Sequence, residues 1–235
     1  PNQATYGSNS VYRRQTFVNE NTLNYTVTIG KHDLTALVGQ AYNFDKLETT
    51  SITSKDGYIN SSIKTLNGAV ATVASTGATQ SILLSYFGRV QYAFDGKYLF
   101  SASLRRDGSS RFGNNTKWGL FPSLSFGWRV SDENFMKSLS FINDLKLRGS
   151  FGTAGNNNIG DYSSISVLGI YNYSANGNSA SGQAPKNIIN PDLKWEKSRT
   201  YDVGLDFGLI GSRITGSFDW YTRKSSDLLL NVPSM

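Results

Sequence analysis

From Trp118 to Val130 every second residue is apolar. Trp118, Leu120, Pro122, Leu124, Phe126, Trp128 and Val130 alternate with Gly119, Phe121, Ser123, Ser125, Gly127 and Arg129. Successive side chains of an extended strand leave on opposite faces, so this run has one apolar face, tryptophan near both ends, and one mostly small or polar face. It exceeds the roughly 5–6 residues of a usual soluble strand. It suits the roughly 9–11 residues of a tilted strand that crosses a bilayer. A chain of such segments folds into a sheet whose apolar face meets lipid.

The pattern recurs at 23–29, 86–94, 98–104, 201–209 and 214–220. Eight strands are expected, at about 12–29, 33–50, 82–94, 97–108, 118–130, 143–154, 196–209 and 212–227. Gly30–Lys31–His32–Asp33, Asp95–Gly96–Lys97 and Ile210–Gly211–Ser212 read as tight turns. Residues 51–81, 109–117 and 155–195 read as long loops, and Ser131–Asp132–Glu133 as the capped start of a short helix within 131–142. Short and long connections alternate. Membrane barrels have this asymmetry, with short periplasmic turns and longer extracellular loops. The fold class is therefore all-β: an antiparallel, up-and-down transmembrane β-barrel section, multi-pass in an outer membrane, with its long loops extracellular.

Composition agrees and excludes other classes. Mean hydropathy is −0.34, which excludes helical spans but not a barrel, where only alternate strand residues face lipid. The chain holds 4 Trp, 13 Tyr and 13 Phe against 5 Pro, a β composition. With no cysteine, disulfides, Cys-based zinc sites and thiol nucleophiles are excluded. The formal net charge is +6, yet Lys and Arg are scattered singly, without the basic stripe of a nucleic-acid binder. Basic side chains at a barrel rim meet outer-membrane lipid phosphates instead. Pro1–Ser10 is polar and lacks a secretory signal; combined with the strands, this makes a true start upstream the expectation.

A series of motifs in order carries a resemblance. It comprises Tyr86–Val90, Lys97–Leu99, Leu104–Gly113 (LRRDGSSRFG), Trp118–Ser123, Gly127–Arg129, Asn143–Ser150 with Gly152, Thr153, Gly155 and Asn156, and Asn190–Glu196 (NPDLKWE). From about residue 10 onward the chain resembles the barrel of SusC/RagA-type TonB-dependent outer-membrane transporters. The resemblance implies a barrel of roughly 22 strands, of which this chain supplies about eight. It implies import of oligosaccharides or peptides, TonB acting through a plug, and a SusD-like surface lipoprotein as lid, in a Bacteroidetes-like Gram-negative cell. Under that resemblance, residues 1–235 are a partial barrel domain lacking plug, N-terminal extension and C-terminal strands. The rival expectation is a complete eight-stranded outer-membrane barrel acting as anchor or adhesin.

No enzyme, cofactor or metal site is expected. His32 is the sole histidine and falls in a short turn; as general base or ligand it has no partners in sequence, and a solvated turn residue is the simpler reading. Asp202, Asp206 and Asp219 share one face of neighbouring strands. They read as glycosidase carboxylates or as residues lining a wet lumen and paired with Arg213 or the plug, and the second reading is favoured. Arg105, Arg106, Arg111 and Phe112, where a strand meets its outer loop, are candidates for substrate or lid contact. The alternative is that Asp107–Ser110 forms a turn which the arginines hold. On the longest loop Asn156, Asn157, Asn158, Tyr162, Tyr171 and Tyr173 are candidates for hydrogen bonding and stacking on a sugar, or for loop packing.

Overall fold

A computed structural model describes residues 6–55, 66, 71–175, 178–185 and 190–230. It contains ten strands: β1 (Tyr6–Ile29), β2 (His32–Lys55), β3 (Ala71–Phe94), β4 (Tyr98–Ser109), β5 (Trp118–Arg129), β6 (Ile142–Asn156), β7 (Leu168–Ala175), β8 (Asn178–Pro185), β9 (Glu196–Leu209) and β10 (Ile214–Ser226). Eight form one sheet in the order β1-β2-β3-β4-β5-β6-β9-β10, and β7 and β8 pair as a separate hairpin. Every strand pair whose register is defined is antiparallel. β1 and β10 stand at opposite ends of the order. Among the described residues β1 and β10 are not neighbours in this order, as the closed eight-stranded barrel of the rival expectation would require.

Three sequence expectations need correction. Residues 51–55 and 71–81 are strand, not loop; residues 56–65 and 67–70 of the expected loop lie outside the described residues. The 155–195 loop contains the β7–β8 hairpin. The short helix within 131–142 is two 3-10 turns, Val130–Asp132 and Asn134–Met136, with no side-chain cap. The reason is competition for the cap. Ser131 Oγ turns to Asp132, and the Glu133 carboxylate accepts Tyr98 OH at 2.6 Å and Trp128 Nε1 at 3.2 Å.

The chain divides into two compact units. The first, 1–18 with 43–82, is polar. Arg14 and Thr16 meet Asp45 at 3.4 and 2.9 Å, Lys46 meets Glu48 at 2.6 Å, and Ser10 meets Ser51 at 3.0 Å. The Arg14–Asp45, Thr16–Asp45 and Ser10–Ser51 pairs cross from β1 to β2, and Lys46–Glu48 lies along β2.

The second unit, 19–42 with 83–235, carries the alternation. One rung joins Trp128 to Tyr98 and Leu147, and others join Phe126 to Phe100 and Gly149, and Leu124 to Ala102 and Phe151. Across β9 and β10 the same face continues through Tyr201, Val203, Leu205, Phe218 and Trp220. These side chains point away from protein: Leu124, Phe126, Val203 and Phe218 are 48–67% exposed. An apolar surface this continuous requires an apolar solvent.

Two aromatic girdles bound it. Phe94, Tyr98 and Trp128 lie with ring centroids 6.2 and 6.4 Å apart at the tight-turn end, and Tyr86 stacks on Trp118 at 6.2 Å at the other. The ten residue steps from Trp118 to Trp128 measure about 33 Å along β5. Tilt follows from register. Tyr86, the outermost outward aromatic of β3, shares a rung with Leu120, whereas Trp220, its counterpart on β10, shares one with Phe126. The boundary thus falls about 20 Å along the strands over about 24 Å of sheet, a tilt of about 40°. At that tilt the girdles are about 25 Å apart in height, the thickness of a barrel's apolar band.

Candidate functional site

The opposite face is polar and holds the candidate chemistry. On β6 Arg148 donates from Nε and Nη2 to both oxygens of Asp206 at 2.9 Å, and from Nη2 to Asp219 Oδ1 at 2.7 Å. Arg148, Gly204 and Asp219 share one rung across β6, β9 and β10. The guanidinium therefore crosses β9 at Gly204, where an added Cβ would stand 2.6 Å from Asp219 Oδ1 and 2.7 Å from Arg148 Cζ. Only glycine leaves that passage open. Beside it lies an open cavity of 260 Å³ lined by Ser125, Lys146, Ser150 and Asp202 among others. The sequence placed these aspartates on one wet face correctly, but their arginine is Arg148, not Arg213.

At the loop end, LRRDGSSRFG folds differently from the turn expected of it. Asp107, Gly108 and Ser109 continue β4, and the turn begins at Ser110. Alternation separates the two adjacent arginines. Arg105 points inward, where Nε meets both Asp107 oxygens at 2.8 and 2.9 Å, Nη2 meets Ser85, and the head lies 5.5 Å from the Phe87 ring. Arg106 points outward and lies 4.6 Å over the Trp118 ring.

Beyond the strand, Arg111 donates to Asp161 at 2.8 Å and to the Asn157 carbonyl at 3.2 Å, while Asn157 Nδ2 donates to Ser109 Oγ. Phe112, 1% exposed, packs on Trp195 at 5.0 Å, and Phe121 meets the same indole edge-on at 5.3 Å. Trp195 Nε1 donates to the Lys117 carbonyl at 2.9 Å, and Thr116 Oγ1 donates to the Leu193 carbonyl at 2.6 Å. The motif therefore fastens three loop segments, 109–117, 157–161 and 190–195, over one aromatic core.

The sequence candidates separate accordingly. Arg111, Phe112 and Asn157 are used in that fastening. Asn156 donates to Glu196 at 3.2 Å, and its Oδ1 accepts the Asn158 N–H at 2.9 Å in a local turn. Tyr162 adopts φ +66°. Tyr171 and Tyr173 are 51% and 57% exposed on β7, and the Tyr173 ring lies against Gly182 of β8. These two do not join Arg105; they sit on the hairpin. His32 opens β2, its Nδ1 2.7 Å from Tyr92 OH and its ring 4.9 Å from Phe94, in the girdle at the tight-turn end. Among the described residues no group of three or more His, Asp or Glu could hold a metal.

Sequence reasoning missed Arg148, Gly204 and Trp195 as organising residues. A signal was present in Asp202–Val203–Gly204–Leu205–Asp206, where glycine interrupts a charged inward row.

At the tight-turn end Glu133 is the electrostatic centre. The Tyr98 hydroxyl first, then the Trp128 indole and Lys97, hold its carboxyl below the usual carboxylate range, against the opposing effect of burial.

Residues 1–235 match the family model described as TonB dependent receptor-like, beta-barrel. TonB-dependent receptor P39 of Formosa agariphila is 42% identical over 223 residues, covering 92% of this chain and 21% of that protein. TonB-dependent receptor SusC of Bacteroides thetaiotaomicron is 45% identical over 160 residues, covering 66% of this chain and 16% of that protein. Among solved structures, the RagAB peptide transporter matches 99% of this chain and 26% of its own chain at 30% identity, with a TM-score of 0.87. The chain thus spans about a fifth of the curated relatives it matches and about a quarter of the solved one.

Proposed function

Because the chain belongs to the TonB-dependent receptor-like β-barrel family of the outer membrane, we propose that it forms part of the wall and outer loops of a SusC-type importer. In this reading the importer takes up oligosaccharides or peptides together with a SusD-like surface lipoprotein, energised by TonB through a plug. The observation that carries the reading is the two-faced sheet. An apolar band about 25 Å high is backed by a charged, hydrated face, as a solute-conducting wall requires.

Under this reading the long-loop end is extracellular. Arg105, Asn156, Asn158, Tyr171 and Tyr173 are the sequence candidates that reach substrate or lid; Arg111, Phe112 and Asn157 position them. Tyr171 and Tyr173 offer aromatic faces to a sugar ring or an apolar peptide side chain. Of these relatives, RagAB is named a peptide transporter, and the name of SusC, a TonB-dependent receptor, gives no cargo.

Deleting the gene that encodes this chain is expected to abolish uptake of a fluorescent oligosaccharide or peptide and leave glucose uptake intact. Co-purification of a surface lipoprotein with the full-length product tests the partner. Unchanged uptake of both cargo classes would overturn the importer reading. The anchor reading is disfavoured by the open order from β1 to β10. A hydrolase is disfavoured by His32, which pairs with Tyr92 at the end opposite the long loops.

A further inference from the structure

Charge on the lipid-facing side is segregated by end. The outward rungs run from Tyr98 to Gly108, Trp118 to Trp128, Leu145 to Thr153, Arg199 to Leu209 and Ile214 to Lys224. They contain three charged residues, Arg106, Arg199 and Lys224, and no carboxylate. All three cations lie at the long-loop end. The inward positions of the same strands mix both signs, with Arg105, Asp107, Arg148, Asp206 and Asp219 among them.

Arg199 and Lys224 face each other directly across β9 and β10. Their orientation is fixed by the rungs on either side, where Arg223 Nε donates to Thr200 Oγ1 and Ser198 meets Ser225, both on the inward face. Like charges directly opposite each other destabilise a sheet unless an anion lies between them. Among the described residues no carboxylate pairs with Arg106, Arg199 or Lys224. The pair stands two rungs beyond Tyr201 and four beyond Trp220. With the tilt derived above, that is about 5–10 Å above the apolar band, the depth of headgroup phosphates. Arg106 reaches the same boundary on β4, its guanidinium carbon 4.6 Å from the centre of the Trp118 ring, which lies against Gly108.

We propose that Arg199 and Lys224, with Arg106 along the same rim, form an outward-facing site for the phosphates of an outer-leaflet lipid headgroup. Its acyl chains lie on the apolar band below. Charge complementarity and continuity with that band select the occupant. A cationic rim at one end, against a girdle at the other that carries the anionic Glu133 beneath Tyr98 and Trp128, matches a membrane whose outer leaflet is the more phosphate-rich. The site rests on the membrane placement of the family and not on the cargo, so losing it leaves the uptake prediction untouched.

The test is native mass spectrometry of the purified full-length transporter titrated with bisphosphorylated lipid A, with its dephosphorylated form, and with inorganic phosphate. Wild type is expected to retain bisphosphorylated lipid A. The double variant Arg199→Gln, Lys224→Gln should bind it roughly tenfold or more weakly. Arg223→Gln, one residue away on the other face, should match wild type. Inorganic phosphate should not displace the lipid. Equal retention by wild type and double variant, an equal loss in Arg223→Gln, or displacement by inorganic phosphate would overturn the proposal. If heat-modifiable gel mobility shows that the double variant does not fold, the wild-type comparison decides: equal binding of phosphorylated and dephosphorylated lipid overturns it.

Discussion

Two knots of arginine and carboxylate lie on the protein side of the wall, and they differ in what surrounds them. Arg111 and Asp161 sit beside the Phe112–Phe121–Trp195 core with side chains 27% and 17% exposed, and a neighbouring carbonyl takes the spare donor. Arg148 binds Asp206 and Asp219 at equally short range, but the three side chains are 31–42% exposed beside an open cavity. The chemistry is the same and the dielectric is not. The shielded pair fixes loops; the more exposed one joins three strands where solvent screens the charges.

The comparison breaks most severely at its apolar element. Phe112→Ala empties the core on which the loops close, and about 3–5 kcal/mol of local stability should be lost. Limited proteolysis should then cut within 109–117 and 157–195 while gel mobility still reports a folded barrel. Loops that stay resistant would show that the core does not hold them.

The two arginines test the contrast directly. Arg111→Met leaves the Asp161 carboxylate shielded and unpaired and should cost about 2 kcal/mol in denaturant unfolding. Arg148→Met leaves its aspartates half-exposed to solvent and should cost measurably less than Arg111→Met. Equal costs would remove the distinction.

The smallest effect lies at the tight-turn end. The Glu133 carboxyl is held below its ordinary range, so the folded state favours its charged form. Its contribution is fully present above the unfolded carboxylate pKa of about 4.3 and is lost as pH falls through the lower folded value. The stability gap between wild type and Glu133→Gln should be flat from neutral pH down to that range and shrink below it. A gap that grew on acidification would contradict this sign.

What was legible in the sequence follows from which solvent each face meets. β4, β5, β9 and β10 were readable within about two residues, because lipid on one side and protein polarity on the other print a period of two. The far ends of β1–β3 were not. Tyr6–Val11, Ser51–Lys55 and Ala71–Ser81 are mostly polar or small in sequence, with single apolar residues and no sustained alternation to mark them as strand. The β7–β8 hairpin hid because β8, Asn178–Pro185, is small or polar along its length and gives β7 no partner visible in the sequence. The site was legible only as a list of polar residues. Alternation alone separates Arg105 from Arg106, but assigning Arg111 and Phe112 to loop packing needs Trp195 and Asp161, which lie 50 or more residues away. The Arg148 network rests on register across three strands, which no local pattern encodes.

The central claim is that β5 presents even-numbered residues to lipid and odd-numbered residues to the polar, protein side of the wall. Because this chain contains no cysteine, single cysteines at positions 119 to 127, labelled with an environment-sensitive fluorophore in the membrane-embedded full-length protein, read the two faces one residue at a time. Quenching by brominated lipid should peak at 120, 122, 124 and 126, and quenching by aqueous iodide at 123 and 125, whereas 119, 121 and 127, buried against protein, should be reached by neither. Uniform quenching along the run, or the opposite phase, would contradict the account.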